Sequence, residues 1–392
     1  MLQTTHETIP FAVPMVGDAE IAAVTEVLKS GWMTTGPKTK EFEAAIASYV
    51  GAPHAIALNS CTAALHLAHL VSGVGPGDEV VTTPLTFCAT LNTVLHVGAK
   101  PVLADVDPVS LNLSAEGVER VLTAKTKAVA PVHYAGNPVD LDPMMELARA
   151  KGLVVTDDAA HAIGTRYKGQ MVGALTDFTA FSFYATKNLA TGEGGMLTTR
   201  NAELADRARV MGLHGMSRDA WKRYSGAGSW FYQVEEAGFK YNMTDIAAVI
   251  GLAQLARFEA MQARRVAIVE RYMEAFGGHP ALQVPPVADA ARGDVHAWHL
   301  YMLRIRPEVL TIGRDQFIEE LKALGVLTSV HFIPASYHPV YQRELGLKPG
   351  DFPVAEDAYQ RMMSLPLYPS LTDAQVEAVI ERVLSIAEKY RR

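Results

Sequence analysis

Seven short apolar runs, separated by stretches with helical spacing, fill the first two-thirds of the 392-residue chain. The runs fall at 54–58, 79–82, 100–105, 128–133, 153–156, 178–184 and 196–199. They are rich in Val, Ile, Leu and Phe and show little polar alternation, which is how strands covered on both faces read. The stretches 62–71, 87–97, 114–122 and 141–150 between them are amphipathic. Strands alternating with helices imply an α/β fold with a mostly parallel seven-stranded sheet and helices on both sides. A chain of this length exceeds what one core usually holds. A large domain over 1–255 and a smaller C-terminal α/β domain over 256–392 are therefore expected, bridged by a long helix from 244 to about 276. Thr372 and Gln375 form a capping box that opens a final helix.

Composition narrows the partners. The formal net charge is -7 and no basic stripe is visible, which argues against nucleic acid. No run of about 18 apolar residues offers a membrane span. The beginning, MLQTTHETIP, lacks the pattern of a secretory signal, so a cytoplasmic protein is expected. The two cysteines, Cys61 and Cys88, have no metal-ligand spacing, and no metal site is expected.

Ligand sites in such sheets gather at the carboxyl ends of the strands. Three segments that look chemical sit at those predicted ends. In FSFYATKNLATGEGGM, an apolar strand runs up to Lys187 and glycines follow. Burial there would lower the amine's pKa and make it nucleophilic toward an aldehyde, as a Schiff-base lysine must be. In VVTDDAAHAIG, Asp158 is placed to face the ring nitrogen of pyridoxal 5'-phosphate (PLP), with His161 near the ring. Asp157 reads instead as a helix N-cap. In ALNSCTAALHLA, Ser60, Cys61 and Thr62 open a helix whose amides suit a phosphate. Phe87 could stack on a flat ring, and Ser182 could donate to the phosphate. The segment 211–236, rich in glycines, aromatics and charges, reads as a long functional loop.

Taken together, WMTTGPKTKEFE, NSCTAALHLA, TFCATLNTV, DDAAHAIG, FSFYATKNLATGEGGM, GFKYNMTDIAAVIGLAQL and SVHFIP resemble the DegT-type nucleotide-sugar aminotransferases, a branch of the fold-type-I PLP enzymes. The resemblance implies a homodimer with shared active sites. Lys187 would be the catalytic lysine; Cys61, Thr62, Phe87, Asp158, His161 and Ser182 would hold the cofactor. Lys240 or Asn242, in GFKYNM, would reach the partner's phosphate. Thr34, Arg223 and His331 would meet the substrate, with Lys222 beside Arg223 adding positive charge for a nucleotide diphosphate. Family members often carry a histidine where this chain has Ser336.

TGEGGM and HGMSRDAWKRY are similar to the branch that aminates C4 of a sugar. The implied reaction moves the amino group of glutamate to a nucleotide-linked 4-keto sugar. Amination at C3 or of a keto-cyclitol is the nearest alternative. A PLP-dependent sugar dehydratase would carry histidine in place of Lys187. A non-catalytic PLP-binding regulator would not need Lys187, Asp158 and His161 together.

Overall fold

The computed structural model of the protein describes residues 7–216 and 231–392. Seven strands form one sheet: β1 (His54–Leu58), β2 (Glu79–Thr82), β3 (Lys100–Leu103), β4 (Thr126–Val129), β5 (Val154–Asp158), β8 (Phe178–Ser182) and β9 (Gly195–Thr199). A two-stranded hairpin, β6 (Arg166–Tyr167) and β7 (Gln170–Met171), lies between β5 and β8 in the chain. The spatial order is β1-β9-β8-β5-β4-β2-β3. β9 is antiparallel to both neighbours, and the other six strands run one way. All seven expected strands are present. β5 and β8 are adjacent, so Asp158 and Ser182 end side by side.

The apolar patterning is explained by cover on both faces. Every residue of β2, β8 and β9 is buried. The helix Cys61–Val71 packs across β5, β8 and β9, with Ala64, Leu65, Leu67 and Ala68 in the core. On the other face Phe42, Ile46, Phe181 and Phe183 pack with the helix Asp245–Ala256.

The long bridging helix is two helices, Asp245–Ala256 and Phe258–Phe276. Arg257 breaks them apart with φ -116° and ψ 9°. Its side chain is held by the carbonyl of Met15 at 2.7 Å and by Glu20 at 2.7 Å. The first helix lies on the helices Asp18–Ser30 and Pro37–Val50, and the second lies on the C-terminal helix. Two packing partners in different directions override a continuous helical periodicity.

The last third builds an antiparallel sheet of β10 (Leu282–Gln283), β11 (Tyr301–Ile305) and β12 (Met362–Leu365). Its core contains Tyr272, Phe276, Tyr301, Phe317 and Val379, and also Ile9 from the start of the chain. Ile9 pairs with Val326 as a parallel bridge. The capping box that opens the helix Asp373–Lys389 is formed as expected: Gln375 N–H donates to Thr372 Oγ1 at 3.2 Å and Thr372 N–H to Gln375 Oε1 at 3.0 Å. Phe317 is fully buried in this core. Phe317→Ala should cost about 3–5 kcal/mol, read as a lower midpoint in urea unfolding. An unchanged midpoint would mean the core closes over the gap.

Candidate active site

The carboxyl ends of β1, β2, β5 and β8 converge on one cavity of about 520 Å³. Its walls include Cys61, Thr62, Phe87, Asp158, His161, Ser182, Lys187 and His331. Eight residues picked from separate segments of the sequence therefore meet in one place. His299, Phe332, Glu193 and Phe11 also line the cavity.

Lys187 follows β8 in a tight turn in which its N–H donates to the Tyr184 carbonyl at 2.8 Å. Part of its side chain is open to the cavity, while the amine is enclosed. Burial pulls the ammonium down to about 8, opposed by Cys61 and Asp158. Its amine lies within hydrogen-bond reach of His299 Nε2, 3.5 Å away. Of the glycines after Lys187, Gly195 has a packing reason. A Cβ on Gly195 would overlap the Ser60 carbonyl and the Cys61 nitrogen. Only glycine lets β9 lie this close to the start of the Cys61–Val71 helix.

The lowered pKa sets a pH dependence. Only the uncharged amine attacks an aldehyde, and its fraction rises about tenfold per pH unit below the pKa. In cofactor-free protein, the rate of capture of added PLP should therefore rise with pH and level off above about 8. A rate still climbing at about pH 10 would mean an ordinary exposed lysine.

Asp158, at the end of β5, is 5% exposed. It accepts from Thr90 Oγ1 at 2.7 Å and from the Ala160 N–H at 3.1 Å. Burial raises its pKa; Thr90, Ala160, Lys187 and His133 oppose the rise. Among the described residues no cationic side chain forms an ion pair with it. Asp157 points away and is fully buried, taking a hydrogen bond from Thr176 Oγ1 at 2.9 Å and lying 3.5 Å from His133 Nε2. It caps no helix, because the chain turns rather than coils after β5. Alternation along the strand sends these two neighbours to opposite faces.

His161 Nδ1 accepts from the Ala135 N–H at 3.3 Å, which leaves the ring proton on Nε2 when the ring is neutral. Burial, then Lys187 and His331, push its pKa well below the usual histidine value. Phe87 caps the helix Cys88–His96 and is 60% exposed, leaving a ring face uncovered.

At the other end of the cavity Ser60, the N-cap, accepts from the Ala63 N–H at 3.1 Å. The amides of Cys61 and Thr62 have no intrahelical carbonyl to bond. The Cys61 thiol is turned to the Ala180 carbonyl at 3.4 Å, and burial raises its pKa. Cys61 can therefore offer a phosphate its backbone N–H but not its side chain. This donor set fits PLP: an enclosed amine, a buried carboxylate without a cation, an uncovered aromatic face and a helix N-terminus.

His331 lies in the wall, its Nδ1 2.7 Å from Ser364 Oγ and its ring stacked 5.4 Å from Phe11. Ser336 is elsewhere, fully buried and donating to Glu356 Oε1 at 2.7 Å. Thr34, Lys240 and Asn242 do not line the cavity of their own chain. They cluster beside it: Asn242 Nδ2 donates to Thr35 Oγ1 at 2.5 Å, and the Thr34 carbonyl accepts from the Asp245 N–H at 3.1 Å. Asp245 also binds the N–H groups of Gly36 and Thr39, so WMTTGPKTKEFE and GFKYNMTD form one unit. Arg223 and Lys222, and most of the expected loop, lie outside the described residues.

The chain is 51% identical over 389 residues to the spore coat polysaccharide biosynthesis protein SpsC of Bacillus subtilis, covering 99% of each chain. The putative sugar aminotransferase Spr1654 from Streptococcus pneumoniae, in its PMP form, superposes with a TM-score of 0.91 at 36% identity, over 97% of this chain and 99% of that one; a PLP form of the same protein gives 0.90. Helicobacter pylori PseC, an aminotransferase involved in the biosynthesis of pseudoaminic acid, gives 0.90 at 27% identity, over 98% and 100%. The DegT/DnrJ/EryC1/StrS aminotransferase family matches residues 14–384. Five of the seven segments that carry the resemblance line the cavity and the other two pack together beside it, and the chain belongs to the DegT/DnrJ/EryC1/StrS aminotransferase family.

Proposed function

We propose that this chain transfers the amino group of glutamate to C4 of a nucleotide-linked 4-keto sugar, giving a 4-amino-4-deoxy sugar nucleotide. Whichever carbon of the sugar receives the amine, the protein is a PLP-dependent sugar aminotransferase of its family. The observation that carries the reading is the convergence of Lys187, Asp158 and the Cys61–Val71 helix start on one cavity. The C4 assignment rests on TGEGGM after Lys187, which is similar to that branch.

Bound in the cavity, PLP supplies an aldehyde carbon with which amines condense and a ring that takes up an electron pair. The residues do the rest. Lys187, about half of it uncharged near pH 8, takes the proton from the α-carbon of glutamate and, in the second half of the reaction, gives one to C4 of the sugar. Asp158 presents a buried negative charge for the ring nitrogen. The Cys61 and Thr62 amides and the Ser182 hydroxyl hold the phosphate. His161 offers its Nε2–H toward the ring oxygen, and Phe87 covers one ring face. His331 meets the sugar.

Thr34, Lys240 and Asn242 belong, in this reading, to the neighbouring active site of a homodimer. Their position beside the cavity but outside it supports that role. The Asn242 amide is engaged by Thr35 and Lys240 is exposed, which favours Lys240 as the group that reaches the partner's phosphate.

The test is the visible absorbance of the purified protein. Glutamate should bleach the band of the lysine-bound cofactor and yield 2-oxoglutarate. A UDP- or dTDP-linked 4-keto sugar should restore it, while a 3-keto sugar or a keto-cyclitol should restore it far more slowly. Faster recovery with either of the latter would overturn the C4 assignment.

A further inference from the structure

Lys187 has a neighbour that no sequence motif announces. His299 Nε2 lies 3.5 Å from Nζ, and hydrogen bonds on the far side of the ring set the direction of that contact. The Ala297 carbonyl only accepts, and it takes both Asn188 Nδ2 and Gln262 Nε2 at 2.7 Å. Asn188 Nδ2 also lies 3.2 Å from Gln262 Oε1. The Asn188 amide is thereby oriented, and its Oδ1 faces His299 Nδ1 at 3.1 Å. An amide oxygen cannot donate, so Nδ1 carries the proton. Burial disfavours a second proton on the ring. Nε2 is then a bare acceptor, and Lys187 must be the donor.

We propose that His299, its tautomer set by Asn188, is a positioning residue that accepts an N–H of the Lys187 amine and keeps the amine's lone pair directed into the cavity. This rests on Lys187 as the cofactor lysine. The opposite tautomer would donate to that lone pair and occupy it, silencing Lys187 as nucleophile and base. Asn188 follows Lys187 directly in the chain, so the turn that delivers the amine also delivers the group that orients its acceptor. The other titratable groups facing Lys187 are Cys61, Asp158, His161 and His331, with Glu193 in the cavity wall and Arg265 near His299.

Two measurements on cofactor-free protein test it. Nitrogen-15 NMR of the histidine rings, with His299→Gln to assign the signal, should show a protonated Nδ1 and a bare Nε2 on His299 at neutral pH. A protonated Nε2 overturns the proposal, whatever the variants do. The second is the pH profile of PLP capture. His299→Asn keeps a donor for Asn188 and leaves no acceptor at the position of Nε2. Its plateau rate should fall about tenfold, and its midpoint should move down because the ammonium has lost an acceptor. His299→Gln places an amide oxygen near the position of Nε2 and should keep the midpoint and most of the rate. Equal profiles for wild type and both variants overturn the proposal. Lys187→Ala is the control: if it captures PLP like wild type, the assignment of Lys187 itself fails, independently of His299.

Discussion

Lys187→Ala should lower turnover of glutamate with any keto-sugar acceptor by on the order of 10⁴-fold, because one amine serves both as attachment point and as base. The loss should not be a folding defect. Lys187 makes no ion pair among the described residues, and its one side-chain hydrogen bond is the 3.5 Å contact with His299. An ammonium pulled down to about 8 by burial costs the folded state something at neutral pH, so its removal should leave the melting temperature level or slightly higher. The sign follows from the direction of the shift. The folded pKa lies below the unfolded one, so the cost is full below about pH 8 and fades as the pH rises toward 10.5. The check is paired: added PLP should give no lysine-bound absorbance band, and circular dichroism should be that of wild type. Turnover within tenfold of wild type would remove Lys187 from the mechanism.

Much of this was legible in the sequence because the carriers were local. Each run from 54–58 to 196–199 combines a two-sided apolar pattern with a turn, and the chemical residues follow those runs directly: Cys61 after β1, Phe87 after β2, Asp158 at the end of β5, Lys187 after β8. Parallel strands put such ends on one edge of the sheet, and the order that sets β5 beside β8 brings Asp158 next to the chain that leads to Lys187. What was not legible depends on long-range placement. His299 precedes a strand of the small sheet and reaches Lys187 only because Ala297 and His299 bond back to the 135–136 turn. Thr90 looks like an ordinary helix residue until the fold puts its hydroxyl on Asp158. The break at Arg257 was hidden because both helices keep apolar periodicity through it, and the reason for the break, the Met15 carbonyl and Glu20, lies some 240 residues away. The antiparallel direction of β9 was equally hidden, since a short buried strand reads the same in either sense.

Asp158→Asn should reduce turnover by about 10²–10³-fold while sparing the cofactor-free fold. The replacement is isosteric. Its amide oxygen can keep the Ala160 N–H, and its NH₂ can donate to Thr90 Oγ1, which also bonds Thr86 and the Phe87 carbonyl. What disappears is charge. In cofactor-free protein that charge is a liability: burial raises the pKa of Asp158, so the ionised form costs stability above the folded pKa, and the cost vanishes as pH falls through it. The cofactor-free variant should therefore melt no lower than wild type at pH 8, with any advantage shrinking toward acid pH. With PLP the order reverses. A carboxylate beside a ring nitrogen keeps that nitrogen protonated, and an amide cannot. The wild type should then gain more in melting temperature from PLP than the variant does, and the variant's bleaching by glutamate should be slow at every pH. If the variant were as fast as wild type and gained as much from the cofactor, Asp158 would be a structural acid held by Thr90, and the ring nitrogen would need another partner.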